Sequence, residues 1–152
     1  MQKTIGILGM HGSREEHATM MESLGYQTIL LREKKDYENI SGIILPAGES
    51  TSFGRLLNWT DTKEIFEQKI LQEHIPVFGT CAGAILLSQK GSEYGINAID
   101  IDIKRNAYGR QVDSFGDEIF MKGIENNNEK FFIFLLMLIS AYNIILYYNF
   151  LR

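Results

Sequence analysis

The apolar positions of this chain fall into two repeating patterns. Thr4–Leu8, Thr28–Leu31, Ile43–Leu45 and Pro76–Phe78 are short apolar runs, the first ending at Gly9 and the third at Pro46, and such runs read as buried strands. The segments between them carry helical signals. Ser13-Arg14-Glu15-Glu16 has capping-box spacing, with a hydroxyl and a carboxylate able to satisfy early backbone donors. The helix it opens directs Met20, Met21 and Leu24 to one side and stops at Gly25. Asp61–Glu64 marks another helix start, and the spacing of Ile65, Phe66, Ile70 and Leu71 predicts helix to about His74. A further helix is predicted over Ala82–Gln89. Parallel strands need crossover connections, so strands alternating with helices predict a doubly wound α/β domain, a mostly parallel sheet with helices on both faces.

Beyond Ser92 the pattern changes. Ile99, Ile101 and Ile103 alternate with Asp100, Asp102 and Lys104, which predicts an antiparallel or edge strand with one wet face over Ala98–Lys104. Asp117–Met121 is expected to pair with it. From Phe131 to Leu151 no charged residue occurs. That stretch fits a membrane span of about 20 residues, or strands packed into the core. The composition shift divides the chain into a domain over 1–130 and an apolar tail over 131–152.

At 152 residues the chain fits one domain able to bury a core without disulfides. The net charge of -4, with basic residues scattered, gives no electrostatic reason to expect binding to nucleic acid or anionic membrane. A single cysteine excludes an intrachain disulfide and suits a reducing compartment. The N-terminal residues start a strand pattern and lack a signal-peptide layout.

The candidate chemistry centres on Gly79-Thr80-Cys81-Ala82-Gly83. Strand, sharp turn and helix with G-x-C-x-G across the turn is the cysteine form of a nucleophile elbow, where small neighbours let the chain turn tightly. The following helix aims its N-terminal dipole and free N–H groups at the sulfur. The N–H of Ala82 can donate to an oxyanion formed when sulfur attacks a carbonyl. On the elbow alone, a buried cysteine acting as a small hydrophobe competes evenly with this reading. Pro46-Ala47-Gly48-Glu49-Ser50 follows the third strand as the cysteine turn follows the fourth. Both lie at the carboxyl ends of parallel strands, where open α/β sheets place their sites. Gly48 can offer a second oxyanion donor, and Glu49 and Ser50 can bind a polar amide, although Ser50 can equally act as a plain helix cap.

These residues resemble the class I, triad-type glutamine amidotransferases, and within them the glutaminase subunits of pyridoxal 5'-phosphate synthase. The matching segments are Ile5–Gly9, Gly12 with Glu16-His17, Gly42–Pro46 with Gly48–Thr51, and Phe78–Gly83. Arg105-Asn106, Tyr108–Gln111 and Asp113–Phe115 continue the match. The resemblance implies a flavodoxin-like three-layer fold with its C-terminal part missing or altered. It also implies that Cys81 attacks the side-chain amide of L-glutamine, forming a glutamyl thioester and releasing ammonia. Gly48, Glu49, Ser50 and Arg105 would hold the glutamine. Ammonia would pass to a partner synthase (lyase) subunit making pyridoxal 5'-phosphate. The resemblance calls for no cofactor or metal and points to a cytoplasmic enzyme without a nucleic-acid or membrane role.

Two positions depart from the family pattern. Ala47 stands where the family has a first glycine, and a Cβ there penalises positive φ by about 1 kcal/mol. The family also supplies, late in the chain, a strand ending Ile-Arg and then His-x-Glu, the base and its orienter. Here no histidine follows Cys81; the three present are His11, His17 and His74. His17 and His74 belong to helices and are not expected to reach the site, while His11 follows the first strand at the same sheet edge, where a surface-loop histidine is the preferred reading and a substitute base the alternative. The altered tail adds a third reading of residues 131–152: a chain that departs from the intact family product near residue 130. The alternative functions are a non-catalytic binding or regulatory subunit, a membrane-tethered protein and a different α/β cysteine enzyme.

Overall fold

The computed structural model describes residues 2–9, 14–48, 50–90, 95–102, 115–119, 131–135 and 145–148. Strand β1 (Thr4–Leu8) is followed by helix α1 (Arg14–Ser23), β2 (Gln27–Leu31), a 3-10 turn over Lys34–Tyr37 and β3 (Gly42–Leu45). Next come α2 (Ser50–Trp59), α3 (Lys63–Glu67) with a π-helical turn over Gln68–Gln72, β4 (Val77–Thr80) and α4 (Ala82–Leu87). The strands β5 (Ser88–Lys90), β6 (Ile99–Asp102), β7 (Phe115–Ile119), β8 (Phe131–Leu135) and β9 (Ile145–Tyr148) complete the order.

The main sheet has the order β2-β1-β3-β4-β9. β1 pairs parallel with both β2 and β3, and β3 pairs parallel with β4. β9 runs antiparallel against β4, from Val77↔Tyr148 to Thr80↔Ile145. The apolar runs are continuous rather than alternating because this sheet is covered on both sides. On one side Ile5, Ile7 and Ile44 pack with Ala18, Met21, Tyr26 and Phe78. On the other, Ile43, Leu45 and Val77 join Phe53, Leu57, Phe66, Leu86 and other apolar residues in a larger buried cluster. The doubly wound parallel arrangement expected from the sequence is present.

Several local expectations are corrected. Helix α1 does not bury Met20 and Leu24, which are 61% and 63% exposed. Its covered stripe is Arg14, His17, Ala18 and Met21, the i, i+3, i+4, i+7 set of a helix laid on a sheet. Helix α4 stops at Leu87 rather than Gln89. The Ser88 hydroxyl donates back to the Ile85 carbonyl, and the N–H groups of Ile96 and Ala98 donate to the carbonyls of Leu86 and Leu87. Those bonds satisfy the orphan acceptors of the last turn and release the chain into β5. β6 pairs parallel with β5 in a two-stranded sheet, so the edge-strand alternative holds and the antiparallel one does not, and its alternation is kept where Ile99 is buried and Asp100 exposed. β7 pairs antiparallel with β8 and not with β6. Periodicity marks a strand but does not choose its neighbour.

Ser13, Ile103 and Lys104 lie outside the described residues, as does most of the expected Arg105–Phe115 segment. Among the described residues, no helix is long and apolar enough to cross a membrane.

Candidate active site at the Cys81 turn

Cys81 sits between the last residue of β4 and the first residue of α4, at φ 50° and ψ -109°. Positive φ is uncommon for a residue carrying a Cβ, and neighbours that over-determine the turn must hold it. Asn39, Asp61, His74 and Asn97 share this sign; a reactive side chain at a strand-to-helix corner distinguishes Cys81. The residue is 3% exposed. The Cys81 carbonyl accepts the first helical bond, from the Ile85 N–H at 3.1 Å. The N–H groups of the first turn have no carbonyl of their own helix to meet.

Two glycines make the corner possible. A Cβ on Gly79 would lie 2.8 Å from the Ala84 nitrogen and from the Gly83 carbonyl carbon. A Cβ on Gly83 would overlap the backbone carbonyl of Leu45 at the end of β3. The first turn of α4 therefore rests directly on the strand that leads into Pro46–Gly48. Leu45 also pairs in register with Gly79, so the loop after β3 leaves the sheet beside the cysteine turn. Ala82 is buried, while Ala47 and Gly48 are half-buried in the bend after β3. Ser50 is the first residue of α2. Glu49, Arg105 and His11 lie outside the described residues.

The first helix approaches the same corner from the opposite side of the sheet. His17 Nε2 lies 3.3 Å from Thr80 Oγ1, one residue before the cysteine. The imidazole also meets Phe78 edge-on, with ring centroids 6.0 Å apart and an interplanar angle of 81°. Burial lowers its pKa from the usual 6.5, partly opposed by the Glu16 carboxylate, which favours the neutral ring. His17, expected from the sequence to stay clear of the site, thus meets the residue that precedes Cys81. Its signal was present as the stripe of positions 14, 17, 18 and 21, hidden by the more hydrophobic Met20 and Leu24. His74 is exposed at the end of the π-helical segment.

A strained cysteine at the carboxyl edge of a parallel sheet, braced by a helix seated on the neighbouring strand, is the geometry of an acyl-transfer nucleophile. The model of the SNO glutamine amidotransferase family matches residues 7–140. The chain belongs to that family. It is similar to pyridoxal 5'-phosphate synthase subunit PdxT of Thermosipho africanus, 42% identical over 132 residues, or 85% of this chain and 70% of that protein. The PdxT subunit of Fervidobacterium nodosum is 40% identical over 132 residues, covering 85% of this chain and 69% of its own length. The Staphylococcus epidermidis PdxT is 42% identical over 131 residues, with shares of 85% and 69%. A crystal structure of a glutamine amidotransferase superposes with a TM-score of 0.72 at 29% identity, covering 87% of this chain and 70% of that one. The family expected from the sequence and its α/β architecture are thus both in hand.

Proposed function

We propose that this chain is the glutaminase subunit of a pyridoxal 5'-phosphate synthase, hydrolysing L-glutamine to glutamate and ammonia for vitamin B6 synthesis. The observation that carries this reading is the positive-φ Cys81 corner in a chain of the glutamine amidotransferase family. Cys81 is the nucleophile: its sulfur attacks the amide carbonyl of glutamine, the C–N bond breaks, ammonia leaves and a glutamyl thioester remains. Water then cleaves the thioester, releasing glutamate and restoring the thiol. The Ala82 and Gly48 N–H groups stabilise the oxyanion, and Gly48, Glu49, Ser50 and Arg105 hold the substrate. Similarity to proteins named as synthase subunits supports transfer of the ammonia to a synthase partner. We place the enzyme in the cytoplasm. The uncharged run from Phe131 contributes β8, paired with β7, and β9, paired with β4 in the main sheet; its composition is what supports reading residues 131–152 as a departure from the intact family product.

Attack at Cys81 requires a proton acceptor for the thiol and a donor for ammonia. The competing reading is a subunit that binds glutamine and its partner without turnover. One experiment separates the two. The full chain, with a synthase subunit added, is treated with a diazoketone analogue of glutamine, and ammonia release from glutamine is followed in parallel. Labelling confined to Cys81 with steady ammonia release is the expected result. Labelling without turnover supports the binding subunit, and labelling no faster than in denatured protein overturns the nucleophile assignment.

A further inference from the structure

The Cys81 turn is braced by backbone contact on one side of the sheet and by a polar contact on the other. On the α4 side, Gly83 rests on the Leu45 backbone. On the α1 side, His17 reaches Thr80 Oγ1 at 3.3 Å while its ring is fixed edge-on by Phe78. Thr80 ends β4, paired in register with Ile145, and its peptide leads directly into the strained cysteine. A backbone held at positive φ persists only while its surroundings resist relaxation. A side chain anchored on Thr80 resists rotation about the bonds joining the strand to the corner.

We propose that His17 is a positioning residue for the Cys81 nucleophile, acting through its hydrogen bond with the Thr80 hydroxyl. This rests on the nucleophile reading above. His17 does not exchange a proton with the substrate here. It fixes the strand end so that the cysteine meets the amide in an attacking geometry, a kind of alignment to which reaction rates are steeply sensitive. Either tautomer serves: Nε2 accepts from the Thr80 O–H, or Nε2–H donates to Thr80 Oγ1.

The test measures saturation kinetics of Cys81 labelling by the diazoketone in the full chain with its synthase partner. His17→Ala should lower the maximal labelling rate about tenfold while half-saturation moves by less than about twofold, the signature of lost alignment rather than lost binding. Thr80→Val should give the same loss, and the double variant no more than either single one. His17→Gln, whose amide reaches the hydroxyl, and Thr80→Ser should each restore most of the rate. Thermal melting identifies variants that have lost the fold, so Thr80→Val tests the idea even if His17→Ala unfolds. Parental labelling rates in folded His17→Ala or Thr80→Val, or losses that multiply in the double variant, overturn the positioning role alone. Failure of the parent chain to label at Cys81 overturns the nucleophile reading and the positioning role together.

Discussion

The two faces of the sheet are built differently, and the candidate nucleophile lies where they meet. The α2–α3–α4 face is apolar and tightly closed, with Phe66, Leu45 and Leu86 completely or almost completely buried. Among the described residues, the α1 face buries Ile5, Ile7 and Ile44 of the strands, and no residue of α1 is itself buried. Its contact with the corner among the described residues is the hydrogen bond between His17 and Thr80. The closed face fixes where the corner is by steric contact; the open face adds a directional constraint that a single side chain can remove.

The largest effect separating the faces should come from their cores. Phe66→Ala is expected to cost about 3–5 kcal/mol because a large ring leaves a void in a closed cluster. Met21→Ala on the half-exposed α1 stripe should cost about 1 kcal/mol, near the centre of the range for ordinary substitutions. Urea unfolding of both variants checks the difference, and equal costs would erase the contrast.

A smaller but more local effect is expected at the corner. Gly83→Ala should destabilise by about 2–3 kcal/mol, since its Cβ meets the Leu45 backbone, which cannot rotate away as a side chain would. Gly25→Ala is the control: its φ is +85° with nothing within 4 Å of the added Cβ, so only the left-handed penalty of about 1 kcal/mol applies. Denaturation midpoints of the two variants give the comparison. The Gly83 variant alone should also slow labelling of Cys81.

The smallest effect is electrostatic and belongs to the open face. Burial holds the native pKa of His17 below 6.5, so the unfolded chain takes up a proton first as pH falls. The His17 contribution to stability is therefore unaltered above pH 6.5 and declines as pH drops through 6.5 toward the lower native value. Glu16, the charged neighbour that raises this pKa, limits the decline. In urea melts at about pH 7.5 and about pH 5.5, His17→Gln should lose less stability on acidification than the parent. An equal or greater loss in the variant would show that His17 is not the group responsible.

The parts of the molecule legible in the sequence are those whose signal is local. Strands β1 to β4 announced themselves as apolar runs, and the cysteine corner as small residues around one nucleophile. The helix from Ser50 to Trp59 was foreshadowed only as a cap at Ser50, although Phe53, Leu56 and Leu57 form its buried stripe. The face of α1 was misjudged because hydrophobicity favoured Met20 and Leu24, whereas the helix axis is set by the packing of Ala18 and Met21 on Ile5, Ile7 and Ile44. Strand partners such as β7 with β8 are choices among distant segments, which a periodicity of two leaves open.

By itself, the sequence determined an α/β chain of alternating elements, a family resemblance carried by ordered short segments, and a cysteine flanked by the glycines its turn requires. Tertiary structure decided which backbone those glycines had to admit, namely Leu45 at the end of β3, and which side chain would meet the strand before the cysteine. The physical reason is range. Turn chemistry and periodicity act over a few residues, whereas the contact between His17 and Thr80 spans 63 positions and exists only once helix and strand pack across the sheet.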